Sequence, residues 1–140
     1  MKTTMVWKTI GSVLVIREAK DPPSDEEWDG LMAALASLRK RVTELRAVVV
    51  TDGGGPTSSQ RGRIKSVIQG AAIRSAVVSD SIKIRFIASA MMLISKNHAS
   101  FTTKELAGAY DHLKLTPEER LAVGEALRQM EGELMEPLRA

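Results

Sequence analysis

A triple glycine followed by hydroxyl side chains is the segment of this 140-residue chain best suited to chemistry. The segment reads Val48-Val49-Val50-Thr51-Asp52-Gly53-Gly54-Gly55-Pro56-Thr57-Ser58-Ser59. An apolar run, glycines and then hydroxyls predict a strand, a tight turn and the start of a helix. A helix N-terminus presents free backbone N–H groups and the positive end of the helix dipole. A hydroxyl at this point can therefore cap the helix, face an anion or carry a phosphate.

Nucleotide binding through either of the two common glycine-rich motifs is not expected. The three glycines lack the spacing of a dinucleotide-binding turn, and no Gly-Lys-Ser/Thr follows them to make a P-loop. A tight strand-to-helix turn, with Thr57 or Ser58 as the cap, is the simpler alternative to a binding site.

A second hydroxyl cluster, Ser79-Asp80-Ser81, follows the apolar residues 76–78 in the same way. If both strands are parallel neighbours, the two helix starts emerge at one edge of the sheet, where α/β folds place their sites. We expect a docking surface for a protein partner or an anion at this edge. Its predicted members are Gly54, Gly55, Thr57, Ser58, Ser59, Arg61, Arg63, Ser79, Ser81 and Arg85.

Composition and charge argue against several classes of function. The absence of cysteine excludes disulfides and thiolate metal sites. The two histidines, His98 and His112, lack metal-ligand spacing and are expected to be surface or hydrogen-bonded side chains, so no catalytic residue, metal or cofactor is predicted. Residues 53–96 carry seven basic residues against one acid, but Phe86 is the aromatic among them and no recognition motif appears, so nucleic-acid binding is not expected. The apolar run 87–94 is too short to span a membrane, and a cytoplasmic location is expected.

The pattern of elements indicates a single α/β domain with a mixed sheet. Two short runs around Gly11 predict a hairpin, Ser24 and Glu27 form a capping box, and Thr116-Pro117 begins a last helix. Strands separated by helices predict parallel pairs with right-handed crossovers. The predicted order is hairpin 5–17, helix 24–42, strand 45–50, helix 58–69, strand 73–78, helix 82–95, strand 98–101, helix 103–113 and helix 117–136.

This arrangement resembles the STAS domain, the family of the bacterial anti-sigma-factor antagonists. The resemblance rests on Val48-Val49-Val50-Thr51-Asp52 with Thr57-Ser58-Ser59, on Ala76-Val77-Val78-Ser79-Asp80-Ser81, and on Ala109-Tyr110-Asp111-His112-Leu113. The resemblance covers residues 7–113. Within the family, the chain is similar to a divergent branch that is related in shape to the CRAL-TRIO lipid carriers. It implies a STAS-like sheet with an extra C-terminal helix over 116–136, and Ser58 as the loose match to a serine phosphorylated by a partner kinase, with Thr57 and Ser59 beside it.

The sequence thus predicts a non-enzymatic regulatory module that docks a protein partner, such as a kinase or anti-sigma-like protein, through residues 53–63. The alternative is a small apolar-ligand or lipid-binding protein with a pocket under the apolar helix 82–94. That helix is also suited to burial against the sheet or to self-association as a homodimer.

Overall fold

The computed structural model describes residues 3–85 and 97–135 as a five-stranded mixed sheet with helices on both faces. The strands are β1 (Met5–Ile10), β2 (Val13–Glu18), β3 (Glu44–Thr51), β4 (Ala72–Val78) and β5 (His98–Phe101). The helices are α1 (Asp25–Arg41), α2 (Ser58–Ile68), α3 (Leu106–His112) and α4 (Pro117–Met135), with a 3-10 turn at Thr103–Glu105 before α3. The α/β class and the predicted mixed sheet with an extra C-terminal helix are confirmed.

The strands lie in the sheet in chain order, β1-β2-β3-β4-β5. β1 and β2 are antiparallel, as expected of a hairpin, and the remaining neighbours are parallel. Because right-handed crossovers that always step in one direction fall on one side of a sheet, α1 and α2 cover the same face. The opposite face is left for the helices that follow β5.

Two hydrophobic clusters fill the space on either side of the sheet. On the first side, called the α1/α2 face, Leu14 and Ile16 of β2 pack with Trp28 and Leu35 of α1. On the second side, called the α3/α4 face, the core joins strand residues to the C-terminal helices; it includes Val13, Val15, Val48, Ala109, Val123 and Met130. The helix predicted as a C-terminal extension therefore supplies much of the cover of this face.

A buried arginine connects α4 to the sheet. Arg17 of β2 points to the α3/α4 face, where its Nε lies 2.8 Å from Glu131 and its Nη2 lies 2.9 Å from Asp52. Burial disfavours the charged guanidinium, but the hydrogen bonds and charges of these two carboxylates outweigh burial and raise the pKa of Arg17. A buried cation held in this way ties the last helix to the carboxyl-terminal edge of the sheet.

The predicted starts of α1, α2 and α4 are confirmed, whereas the helix predicted from residue 103 begins with a 3-10 turn and becomes α-helical at Leu106. Ser24 caps α1 in a capping box with Glu27, and Thr57 rather than Ser58 caps α2 in a box with Gln60. Thr116 and Glu119 bond each other's backbone N–H groups at the start of α4. Each box satisfies N–H groups that the helix itself leaves free.

Most of the predicted helix 82–95 lies outside the described residues. Its first residues, 82–85, are helical, with Ser81 Oγ accepting from the Ile84 N–H at 3.3 Å. Within this turn Ile82 is 78% exposed, whereas Ile84 is buried, so Ile84 is the apolar residue that faces the core.

Candidate functional site

An apolar cavity of about 150 Å³ lies on the α1/α2 face of the sheet. Its floor comes from side chains of β2, β3 and β4 that point to this face, including Leu14, Ala47 and Val77. Helix residues such as Leu31 and Ile64 form the roof, and Ile84 closes one side. A cavity of this volume with aliphatic and aromatic walls is large enough for one benzene ring.

Glu18 is the polar exception in this wall. It is the last residue of β2, it is 3% exposed, and its Oε2 has no hydrogen-bond partner among the described residues. Since side chains alternate along a strand, Glu18 points to the same face as Leu14 and Ile16, while its neighbour Arg17 points to the other. The adjacent cation is therefore engaged on the far side of the sheet and cannot neutralise the carboxyl group.

The surroundings of Glu18 favour its protonated form. Burial, with a smaller contribution from the negative charge of Glu27, raises the pKa of Glu18 from 4.5 to about 8. Glu27 itself stays ionised: partial burial opposes its charge, but hydrogen bonds from Thr4, Ser24 and Met5 outweigh burial and lower its pKa. At neutral pH the cavity therefore holds an uncharged carboxyl group that can donate one hydrogen bond.

A serine–histidine pair forms a second polar spot in the same cavity. Ser75 of β4 and His98 of β5 are register partners, and Ser75 Oγ lies 2.5 Å from His98 Nδ1. His98 is 7% exposed, and its Nε2 has no partner among the described residues. Burial, aided by the nearby His112, lowers the pKa of His98 to about 4, so the ring is neutral and a weak base. Of the two expected placements of His98, the surface one is wrong, because strand β5 carries the side chain inward, and the hydrogen-bonded one holds at Nδ1.

The turn at Gly53, Gly54 and Gly55, called the glycine turn, forms one end of the cavity. Gly54 donates its N–H to Ala19 O at 2.8 Å and accepts the Thr51 hydroxyl at 2.6 Å. A Cβ atom at Gly54 would lie 2.3 Å from Asp21 O, so the chain passes too close here for any side chain. Gly55 also lines the cavity, and its own Cβ would meet Ile84 at 2.8 Å. The predicted parallel pairing of β3 and β4 is confirmed, and it brings the two turns that follow these strands to one edge of the sheet.

The predicted phosphorylation segment lies on the surface beside this turn. Thr57, Ser58 and Ser59 are exposed at the start of α2. Because the Thr57 hydroxyl caps the helix, the Ser58 hydroxyl is not used as a cap, and Arg61 Nη2 donates to it at 3.0 Å. Arg63 lies on the same helix but is paired with Asp29 of α1.

The second hydroxyl cluster is only partly on the surface. Ser79 is completely buried, and its Oγ accepts the Ser81 N–H at 3.2 Å. Its prediction as a docking residue is therefore wrong: the side chain stabilises the turn after β4 and faces no partner. Ser81 and Arg85 are partly exposed at the same edge of the sheet.

Sequence reasoning missed the cavity residues Glu18, Ser75 and His98. A signal for Glu18 was present, since an acid at the end of the apolar run 13–18 shares the strand phase of Leu14 and Ile16. No comparable signal marked Ser75 or His98, because their pairing depends on the neighbouring strands being in register.

Comparisons of the chain with protein-family models, curated proteins and solved structures give no match. Over residues 3–85 and 97–135, no helix is long and apolar enough to cross a membrane. The same residues contain no group of three or more His, Cys, Asp or Glu side chains able to hold a metal ion.

Proposed function

We propose that this chain is a non-enzymatic binding protein for a compact apolar molecule, which enters the cavity on the α1/α2 face. The observation that carries the proposal is the cavity itself, an apolar space of about 150 Å³ beside a well-packed sheet. Natural cores are usually filled to the density of organic crystals, and an unfilled space loses dispersion contacts from its whole lining. An apolar guest restores those contacts.

The lining supports binding better than catalysis. Ser75 and His98 have the residue types of a nucleophile and its base. Burial, however, lowers the pKa of His98 to about 4. A base of this strength takes up the serine proton poorly at neutral pH. The pair therefore serves the cavity as polar lining.

The test measures saturable binding of ethylbenzene to the full chain. Binding is monitored by the NMR shifts of cavity methyl groups and by calorimetry. The Ala47→Leu variant fills the floor of the cavity and should abolish binding. Ala72→Leu makes the same change at an exposed position of β4 outside the cavity and should bind like the original protein. Equal binding by both variants, or no binding by the original protein, would rule out the cavity as a ligand site.

A second candidate is the regulatory function implied by the STAS resemblance, with a protein partner docking on residues 53–63. The observation that favours it is the contact between Arg61 and the exposed Ser58 hydroxyl at 3.0 Å. A phosphate on Ser58 would meet this guanidinium and the N-terminal end of the α2 dipole, which both stabilise negative charge. Such a modification would give a partner a charged surface to distinguish.

Phosphopeptide mapping of Thr57, Ser58 and Ser59 in the native host, over several growth states, tests this candidate. We expect phosphate on Ser58, and its loss in a Ser58→Ala variant but not in Ser59→Ala. A consistent absence of phosphate from all three residues would leave helix capping by Thr57 as the sufficient reason for the hydroxyl cluster.

A further inference from the structure

The buried carboxyl group of Glu18 gives the cavity a chemical preference as well as a size. Glu18 is surrounded by apolar lining residues and by the glycine turn, and its Oε2 has no partner among the described residues. A buried polar group without a partner costs free energy, so a ligand that supplies the partner binds more tightly than an equally large hydrocarbon. We infer that the ligand is a compact apolar molecule with one neutral hydrogen-bond acceptor, a ketone or amide carbonyl, to which the Glu18 carboxyl donates. This inference rests on the proposed function, because it assigns the ligand class of the same cavity.

Anionic ligands are disfavoured by the charges around the carboxyl group. The titratable side chains in the cavity wall, among the described residues, are Glu18 and His98, and Glu27 of α1 is the charged group that acts on Glu18. Burial holds His98 neutral at pH 7, and Arg17 is engaged on the opposite face. No cation in the described lining is available to balance an incoming carboxylate or phosphate.

Ammonium ligands are disfavoured because the described lining of the cavity offers too few free hydrogen-bond acceptors for their N–H groups. An ammonium group carries several N–H donors, and each needs an acceptor once it is removed from water. Glu18 offers acceptors on one side, but the Thr51 hydroxyl already bonds Gly54 O and the Ser75 hydroxyl already contacts His98. A carbonyl needs one donor, which protonated Glu18 provides.

The experiment compares two probes of similar shape, ethylbenzene and acetophenone, on the full chain by calorimetry at pH 6.5 and pH 9. The measured quantity is the ratio of their dissociation constants. At pH 6.5 the preference for acetophenone over ethylbenzene should be about five- to tenfold larger in the original protein than in Glu18→Leu. This factor corresponds to the free energy of one hydrogen bond. At pH 9 the extra preference should disappear from the original protein, because the carboxyl group has lost its proton. Glu18→Gln, whose amide still donates, should keep the preference at both pH values.

The outcomes separate the inference from the proposed function. If neither probe binds at either pH, the cavity is not a ligand site and both fail. If ethylbenzene binds but the ratio is the same in the original protein and in Glu18→Leu, only the assignment of the ligand class fails. Tighter binding of benzylamine than of acetophenone at pH 6.5 would overturn the assignment in favour of a cation. The pH comparison uses the original protein alone, so it decides the matter even if a variant folds poorly.

Discussion

The stability of this protein should fall as the pH rises from 6.5 to 8, and Glu18 should be the reason. Burial raises the pKa of Glu18 from 4.5 to about 8 in the folded chain, so between these values the folded state holds a proton that the unfolded state has released. The unfolded state then binds fewer protons, and the free energy of unfolding decreases with pH. Replacement by Gln, which has the same size and cannot ionise, should remove this dependence.

The magnitude follows from the two pKa values and from the opposing titration of His98. Below pH 6.5 the effect of Glu18 is masked, because burial lowers the pKa of His98 to about 4 and stability rises with pH over that range. Between pH 6.5 and 8 the raised pKa of Glu18 lowers the free energy of unfolding without the opposing titration of His98. One pH unit corresponds to about 1.4 kcal/mol, so the loss across this window is about 2 kcal/mol.

Urea unfolding at half-unit steps from pH 6 to pH 9 measures this loss. The Glu18→Gln variant should show a flat curve above pH 6.5, where the original protein declines by about 2 kcal/mol. The control is Glu44→Gln, the same chemical change at an exposed position of β3, which should decline like the original protein. Parallel curves for the original protein and Glu18→Gln would refute the reasoning, because they would mean that Glu18 is ionised in the folded state at pH 6.5.

Three further predictions concern the packing of the fold. A chain that ends at residue 115 lacks α4 and should lose its cooperative unfolding transition by circular dichroism, because the α3/α4 face of the sheet is then exposed. The imidazole of His98 should stay neutral in an NMR titration down to about pH 4; a midpoint near 6.5 would mean that the ring is solvated. Gly54→Ala should destabilise the fold by about 2 kcal/mol or more in urea unfolding, because its Cβ would overlap the Asp21 carbonyl. Gly62→Ala, in open space within α2, should instead stabilise it by up to about 1 kcal/mol, and equal effects of the two would contradict the close approach at Gly54.

Features of the fold that depend on local sequence were predictable. The capping box at Ser24, the helix cap at Thr57 or Ser58 and the hairpin around Gly11 each follow from residue types a few positions apart. The parallel pairing of β3 and β4 also followed, because a helix between two strands leaves little other choice. The phase of the first turn after Ser81 did not, since the apolar residues there are too closely spaced to indicate one inward face.

The candidate site was less predictable because it depends on packing in three dimensions. The volume left between the sheet and α1 is set by how the layers meet, and no spacing along the chain records it. The burial of Ser79 likewise depends on neighbouring elements. Glu18 is the intermediate case: its phase within β2 places it on an inward face, but only the structure shows that no cation from residues 3–85 or 97–135 reaches it there.

The glycine turn links the two candidate functions, and its contacts indicate that they act independently. Residues 54 and 55 close the cavity on one side and lead into the α2 start, where Ser58 is exposed, on the other. The turn is held by hydrogen bonds from the Gly54 N–H to Ala19 O and from the Thr51 hydroxyl to Gly54 O. A guest against the inner surface would press on backbone that has little space to move, since Gly54 already touches the chain at residues 19 and 21. Coupling between two sites requires an element with two arrangements of similar energy. The close contacts and hydrogen bonds of Gly54 oppose a second arrangement of this turn, so we expect occupancy of the cavity to leave the surface around Ser58 unchanged.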